Sequence, residues 1–330
     1  MKGILAASLL LSILCPTMAW AQATMKNLEL GDGYRENNTI GSPLCATGSA
    51  PPLEIGTITA GYNRREKVVR RGGGNFFTKG PEYKIDTTID LAEMLAVALQ
   101  AESSAMGFRR APEEEEGWHI EGVLSEIYLE SRQVYMGATL FYGFMNVELE
   151  VRQGSGSPHT MLLRIHSYHG AYNAGMGRQD EAKESLALLL VEGAQEILSR
   201  LNRSHFQARA HPDIEQTLAS LESSSLNDLH RFGLAGSRSA TPDLMALIAR
   251  ADDEDRRSAL IDAVGRLGAP EAVSVLADWY RSEEDEDCRW STIKALDYIG
   301  GEQALAVIRD EGVDDDHEAI ERLAKRILGS

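Results

Sequence analysis

The chain has 330 residues, of which 43% are hydrophobic and 25% charged, with 3 cysteines and a formal net charge of −17. That composition supports packed cores and excludes both a disordered chain and a disulfide scaffold. Residues 211–330 hold 26 acidic and 13 basic residues, a net of −13 that leaves −4 for the rest, so this part repels phosphate backbones and anionic lipid, which argues against a nucleic-acid partner.

Residues 1–21 read as an export signal: Lys2, an apolar run from Ile4 to Leu14, Pro16 as breaker, and Ala19-Trp20-Ala21 as a small-x-small cleavage site. The run is shorter than the roughly 20 apolar residues a spanning helix needs. Leu14 is too large for the position before a lipid-modified cysteine, so Cys15 does not mark a lipoprotein and the mature chain is expected to be soluble and periplasmic. Cys45 and Cys288 remain after cleavage; an oxidising compartment permits a bridge between them, while two unpaired thiols is the reading preferred.

Residues 22–52, rich in Gly, Asn, Thr, Ser and Pro without apolar periodicity, read as a tether. From residue 53 to 206 the pattern is that of one α+β domain. Leu53 to Tyr62 predicts a strand, and the basic, glycine-rich stretch Arg64 to Gly80 a mobile loop. Thr88 or Asp90 caps a helix carrying Leu91, Met94, Leu95, Ala98, Leu99 and Met106 at helical spacing, with Gly107 as its stop. Three strands follow, Trp118 to Glu130, Gly137 to Arg152 and Met161 to Tyr172, the last two joined by a hairpin at Gln153 to Pro158. Ala182, Leu186, Leu189, Leu190, Ala194, Ile197 and Leu201 form the stripe of a long amphipathic helix. The order predicts an antiparallel sheet with both helices on one face.

The helix ending in Met106-Gly107-Phe108, the strand Val123 to Tyr128, and the hairpin into Tyr168-His169-Gly170-Ala171-Tyr172 before the closing helix resemble the YajG-type envelope lipoproteins over about Leu91 to Leu201. The resemblance implies an envelope location and a small α+β binding domain, and carries no catalytic residues over. The chain departs from that family in lacking a lipidation cysteine after its signal.

Residues 213–330 match themselves at an offset of 32: Asp253 to Arg257 aligns with Asp285 to Arg289, Ile261 with Ile293, Ala263 with Ala295, Leu267-Gly268 with Ile299-Gly300, and Val275-Leu276 with Val307-Ile308. Such periods mark stacked helix pairs. The run Arg257 to Ala272 and its counterpart Arg289 to Ala304 resemble HEAT repeats, in particular the short kind of phycobilisome lyases. A degenerate earlier unit at Thr241-Pro242-Asp243-Leu244 and a capping half-unit from Asp314 to Leu328 complete an all-α, HEAT-like solenoid.

The clusters Asp252 to Asp255, Glu283 to Asp287 and Asp314 to Asp316 each precede the first helix of a unit. Carboxylates there cap helix N-termini, and more are present than capping requires. Asp253, Glu254, Asp255, Glu283, Glu284, Asp285, Glu286 and Asp287 are therefore the candidate partner-binding residues, with Trp279 and Tyr298 as aromatic anchors. No cluster has the glycine and terminal glutamate of a calcium hand. Gly72 to Lys79 lacks the Gly-Lys-Ser/Thr ending of a phosphate loop. His166 and His169, three apart on a strand, point to opposite faces and cannot chelate together; His119 and His211 stand alone. No Cys-x-x-Cys pair, paired helical histidines or nucleophile elbow occurs.

These features predict an exported, non-enzymatic adaptor without cofactor, whose acidic solenoid docks a protein with a basic or amphipathic surface. One alternative is a carrier that holds an amphiphilic envelope lipid between helices and sheet; another, from the HEAT resemblance alone, is a lyase-like enzyme. Oligomeric state is left open.

Overall fold

The computed structural model describes residues 23–25, 44–46, 48–63, 67–71, 82–86, 88–111, 116–133, 139–171, 178–214 and 220–329. The export signal, most of the tether and the glycine-rich run 72–80 lie outside them.

Strand β1 (Ala23–Met25) is followed by β2 (Pro52–Ala60), β3 (Lys67–Arg71), β4 (Tyr83–Ile85), helix α1 (Leu91–Met106), β5 (Arg109–Arg110), β6 (Trp118–Gln133), β7 (Thr139–Gln153), β8 (His159–Ala171) and helix α2 (Arg178–Leu201). Asp90 caps α1 by accepting from the backbone N–H groups of Ala92 and Glu93, and Gly107 ends it at φ 97°, a left-handed conformation that glycine adopts without strain.

Strands β6, β7 and β8 form an antiparallel meander, Ile127 opposite Met145 and Met145 opposite Ile165. On its other side β6 pairs in parallel with β2 and, farther along, with β3. Strand β4 runs antiparallel to β3, while β1 is parallel to β4 and β5 to the start of β2. The sheet is mixed, which corrects the expected antiparallel one. The chain reaches β6 from β2 through a crossover containing α1, and such a crossover delivers a parallel strand.

Two further expectations are corrected. The basic stretch read as loop supplies strand β3, whose Val68 and Val69 are buried. The tether is pinned near its end: Leu44 and Cys45 are buried, and the Cys45 N–H donates to Met106 O at 3.0 Å. Both described cysteines, Cys45 and Cys288, are unpaired and buried; burial pushes the Cys45 thiol up to about 11.

Alternation along the strands gives the sheet two buried faces. Met145, Val147, Leu149, Val151 and Ile165 point toward α1 and α2, where Leu95, Leu99, Leu186, Leu189 and Leu190 are inaccessible to solvent. Burying each such leucine contributes about 1.5–3 kcal/mol. The opposite face carries Tyr128, Tyr142, Phe144, His166 and Tyr168, and it is covered by the C-terminal helices.

Those helices are α3 (Leu226–Ala235), α4 (Thr241–Ile248), α5 (Glu254–Leu267), α6 (Val273–Ser282), α7 (Glu286–Ile299), α8 (Gly301–Val307) and α9 (Glu318–Leu328). Helices α5 and α7 begin and end 32 residues apart, as the internal repeat requires. The stack is close because small residues face each other: a Cβ on Gly233 would lie 2.9 Å from Ala263 Cα, and one on Gly265 only 2.6 Å from Ala295 Cα. No helix among the described residues is long and apolar enough to cross a membrane.

Candidate functional site

Each acidic cluster divides into carboxylates with structural partners and carboxylates without. Asp253 accepts from Arg256 N at 2.8 Å and Asp285 from Cys288 N at 2.8 Å, so these two are the N-caps of α5 and α7. Glu283 pairs with Arg257 at 3.3 Å, Glu286 with His317 at 2.8 Å, and Asp287 accepts from Tyr168 Oη at 3.3 Å. In the third cluster Asp315 is buried against Tyr280 and Arg289, and Asp316 pairs with Arg289 at 2.8 Å. Asp252, Glu254, Asp255, Glu284 and Asp314 are exposed, and their carboxylates pair with no described residue. These five, at turns repeated along one edge, form the accessible acidic rim.

The opposite ends of the same helices face inward. Positions 234, 266 and 298 are equivalent in α3, α5 and α7, and all three address the first module. Leu234 O accepts from Ser199 Oγ on α2. Arg266 Nε donates to Glu196 Oε2, also on α2, at 3.2 Å. Tyr298 stacks beneath the guanidinium of Arg200, 4.3 Å from its ring centre, and its hydroxyl donates to His166 O on β8 at 3.4 Å. A 14-residue helix such as α5 is about 20 Å long, which separates the acidic rim from this seam.

Glu196 is 2% exposed within the seam. Burial acts to raise its carboxyl, but Arg200, Arg266 and Arg203 outweigh it and hold the group below the usual carboxylate range. Arg266 Nη1 also meets His230 Nδ1 at 3.1 Å, and His230 in turn contacts Gln195 at 2.9 Å. Burial, followed by the charges of Arg266 and Lys294, holds His230 well below its ordinary value, so it is the neutral imidazole.

Helices α7 and α9 cross the sheet face. His166 Nε2 lies 3.1 Å from Asp297 Oδ2, and Arg164 reaches Asp297 Oδ1 at 3.4 Å. Burial lowers the imidazole pKa more than the Asp297 contact raises it, so neutral His166 donates Nε2–H to the carboxylate. Trp290 lies against Tyr142 and Tyr168 with ring centres 6.0 and 6.1 Å away. Arg322 Nε donates to Glu130 Oε2 at 2.8 Å, and Arg326 bonds both Tyr128 and Glu126. Helices α3 and α5 contact α2 on one side of the sheet while α7 and α9 cover the other, so the helical region wraps the edge strand β8.

The expected aromatic anchors separate accordingly. Tyr298 belongs to the seam, whereas Trp279 sits half-buried on α6 with Arg257 over its ring at 5.6 Å. The histidine and carboxylate of the His166–Asp297 pair are 1% and 6% exposed, which leaves no room for a substrate atom beside them. His169 lies on β8 opposite Phe141 of β7. Among the described residues no group of three His, Cys, Asp or Glu could hold a metal ion.

The arrangement of small-residue contacts, capped first helices and a 32-residue period is similar to HEAT repeats, and the family model of HEAT repeats matches residues 231–328. No curated protein matches the chain. Sequence reasoning missed the seam because its pairs, such as Arg266 with Glu196, join residues 70 positions apart. The one signal available was the departure from the repeat: Gly233 and Gly265 are followed at the third equivalent position by Asp297, a charged residue where packing asks for a small one.

Proposed function

We propose that this is an exported, periplasmic adaptor that docks a basic protein segment on the acidic rim of its HEAT-like region. The observation carrying the reading is that Asp252, Glu254, Asp255, Glu284 and Asp314 stand exposed, with no partner for their carboxylates among the described residues, on a region similar to HEAT repeats. HEAT repeats generally present extended surfaces to other proteins. The inner ends of the first helices are occupied by α2 and β8, whereas the rim at their other ends is open to a partner. The first module, read as YajG-like, serves as the rigid base that fixes the rim's curvature.

The test is affinity capture from crosslinked native envelopes with the wild type and with a variant carrying Asp252→Asn, Glu254→Gln, Asp255→Asn and Glu284→Gln. These four carboxylates neither accept a capping hydrogen bond nor pair with a described residue; Glu254 and Asp255 stand in the first turn of α5, where each charge contributes about 0.3–1 kcal/mol, so the variant should melt only slightly lower and remain folded. A defined partner held by the wild type and released by the variant supports the reading. Equal capture by both forms, or capture by neither, overturns the role of the rim.

A further inference from the structure

His159 opens β8, and His205 lies in the π turn Asn202–Phe206 that follows α2. Their imidazole ring centres are 5.7 Å apart, with 33° between the ring planes. Every other histidine whose side chain is described has a polar partner: His119 meets Glu54, His166 Asp297, His211 Asp213, His230 Gln195, and His317 Glu286. His159 and His205 bond no described residue and have each other. Burial, followed by the charge of His159, holds His205 below its ordinary value, so at pH 7 it is the neutral imidazole with a lone pair to donate.

The pair stands on a packed support. Trp118, at the start of β6, lies against His205 with ring centres 5.6 Å apart and against Phe206 at 5.2 Å, and Phe206 meets Phe108 edge-on at 5.4 Å. The π turn closes where Gln207 N–H donates to Asn202 O at 2.7 Å, and Gln207 is held at φ 52°, a left-handed conformation that a residue with a side chain seldom adopts. Asn202 Oδ1 fixes the exit from the turn by accepting from Ala208 N–H at 2.9 Å. Single π turns and residues held at positive φ collect at functional sites.

We propose that His159 and His205 together bind a transition-metal ion, Cu(II) above all, with water completing its coordination. A ligating imidazole nitrogen stands about 2.0 Å from such an ion, which places each ring centre roughly 3 Å from it and two rings on one ion roughly 5–6 Å apart. The observed separation of 5.7 Å falls in that range. His159 is exposed and His205 half-buried, so the ion's remaining positions open to solvent. Imidazole pairs suit Cu(II), Ni(II) and Zn(II), whereas Mg(II) and Ca(II) take oxygen ligands, and affinity along the first-row series is greatest for Cu(II). This site lies in the first module and does not rest on the adaptor reading.

The test is titration of the full chain with Cu(II), read by calorimetry and by electron paramagnetic resonance, for the wild type, His159→Gln, His205→Gln and His211→Gln. The wild type should bind one equivalent tightly, with the nitrogen splitting of two imidazoles. Either His159→Gln or His205→Gln should weaken that equivalent by roughly tenfold or more, because the remaining imidazole no longer has a second at high effective concentration. His211→Gln, which removes a histidine paired with Asp213 elsewhere, should leave it unchanged. His159 is exposed and bonds no described residue, so His159→Gln should melt with the wild type in the absence of metal. No saturation near one equivalent, a spectrum lacking the second imidazole nitrogen, or wild-type affinity in His159→Gln overturns the site.

Discussion

Arg266 and Glu196, on helices of different modules, meet at 3.2 Å while 7% and 2% exposed. A pair this deeply buried adds little relative to apolar packing, but removing one partner leaves an uncompensated charge. Glu196→Gln strands Arg266, Arg200 and Arg203 together. A loss of about 3–5 kcal/mol is expected, read as a lower urea midpoint with an unchanged slope.

Asp287 supplies the pH dependence. Burial, then the charge of Asp285, pushes its carboxyl from 3.8 up to about 6, although the hydrogen bond from Tyr168 works the other way. A raised carboxyl favours folding in its protonated form. Its contribution is fully present below about pH 4 and lost as pH rises through about 6. Asp287→Asn keeps an acceptor for Tyr168 and should stabilise the fold at pH 7.5 by about 1 kcal/mol, less than the shift alone implies because the residue as a whole is exposed and solvent screens its charge. The advantage should vanish below about pH 4 in thermal melts; an advantage independent of pH would rule the carboxyl out as its source.

The helix stack tolerates no added bulk at Gly265, whose Cβ would meet Ala295 Cα at 2.6 Å. Gly265→Ala, which would help an isolated helix, should here cost about 1–3 kcal/mol by forcing α5 and α7 apart. Calorimetry of the variant showing a gain would contradict the close approach.

Capping and rim carboxylates should separate cleanly. Asp253→Ala and Asp285→Ala each remove an acceptor for a helix N–H and should cost about 1 kcal/mol. Glu284→Gln, without a described partner, should leave the melting temperature unchanged. The comparison distinguishes the two kinds of carboxylate within one cluster.

The junction between the modules should resist proteolysis. Ala46 N–H donates to Arg209 O and His211 N–H to Leu44 O, both at 2.7 Å, so the backbone near residues 204–213 is tied to the chain's early segment. Proteases cut exposed, unbonded backbone first. Mass spectrometry of early digestion products should show few ends between Ser204 and Asp213.

Local signals were legible in the sequence wherever one residue decides a conformation. Asp90, one of two cap candidates, and Gly107 bounded α1, the glycines of residues 153–158 gave the hairpin, and the 32-residue offset gave the spacing of α5 and α7, although both begin inside the acidic clusters expected to precede them. What escaped depended on distant partners. Strand β3 offers only Val68 and Val69 between basic residues, and its burial comes from β6 alongside it. Parallel pairing leaves no local pattern, because alternation is the same in either direction. Of the rim, the acidic turns were visible at once, but which carboxylates were free could be decided only after Arg257, His317, Tyr168 and Arg289 were placed.

The seam uses positions 234, 266 and 298 in turn, and each presents a different group to a different target: a carbonyl to Ser199, a guanidinium to Glu196, and a phenol to β8. The copies of the repeat have thereby ceased to be interchangeable. Duplicating or deleting one 32-residue unit, a change that independent repeats absorb, would shift every later side chain to the wrong address. The number of units in this protein is fixed by the sheet they enclose.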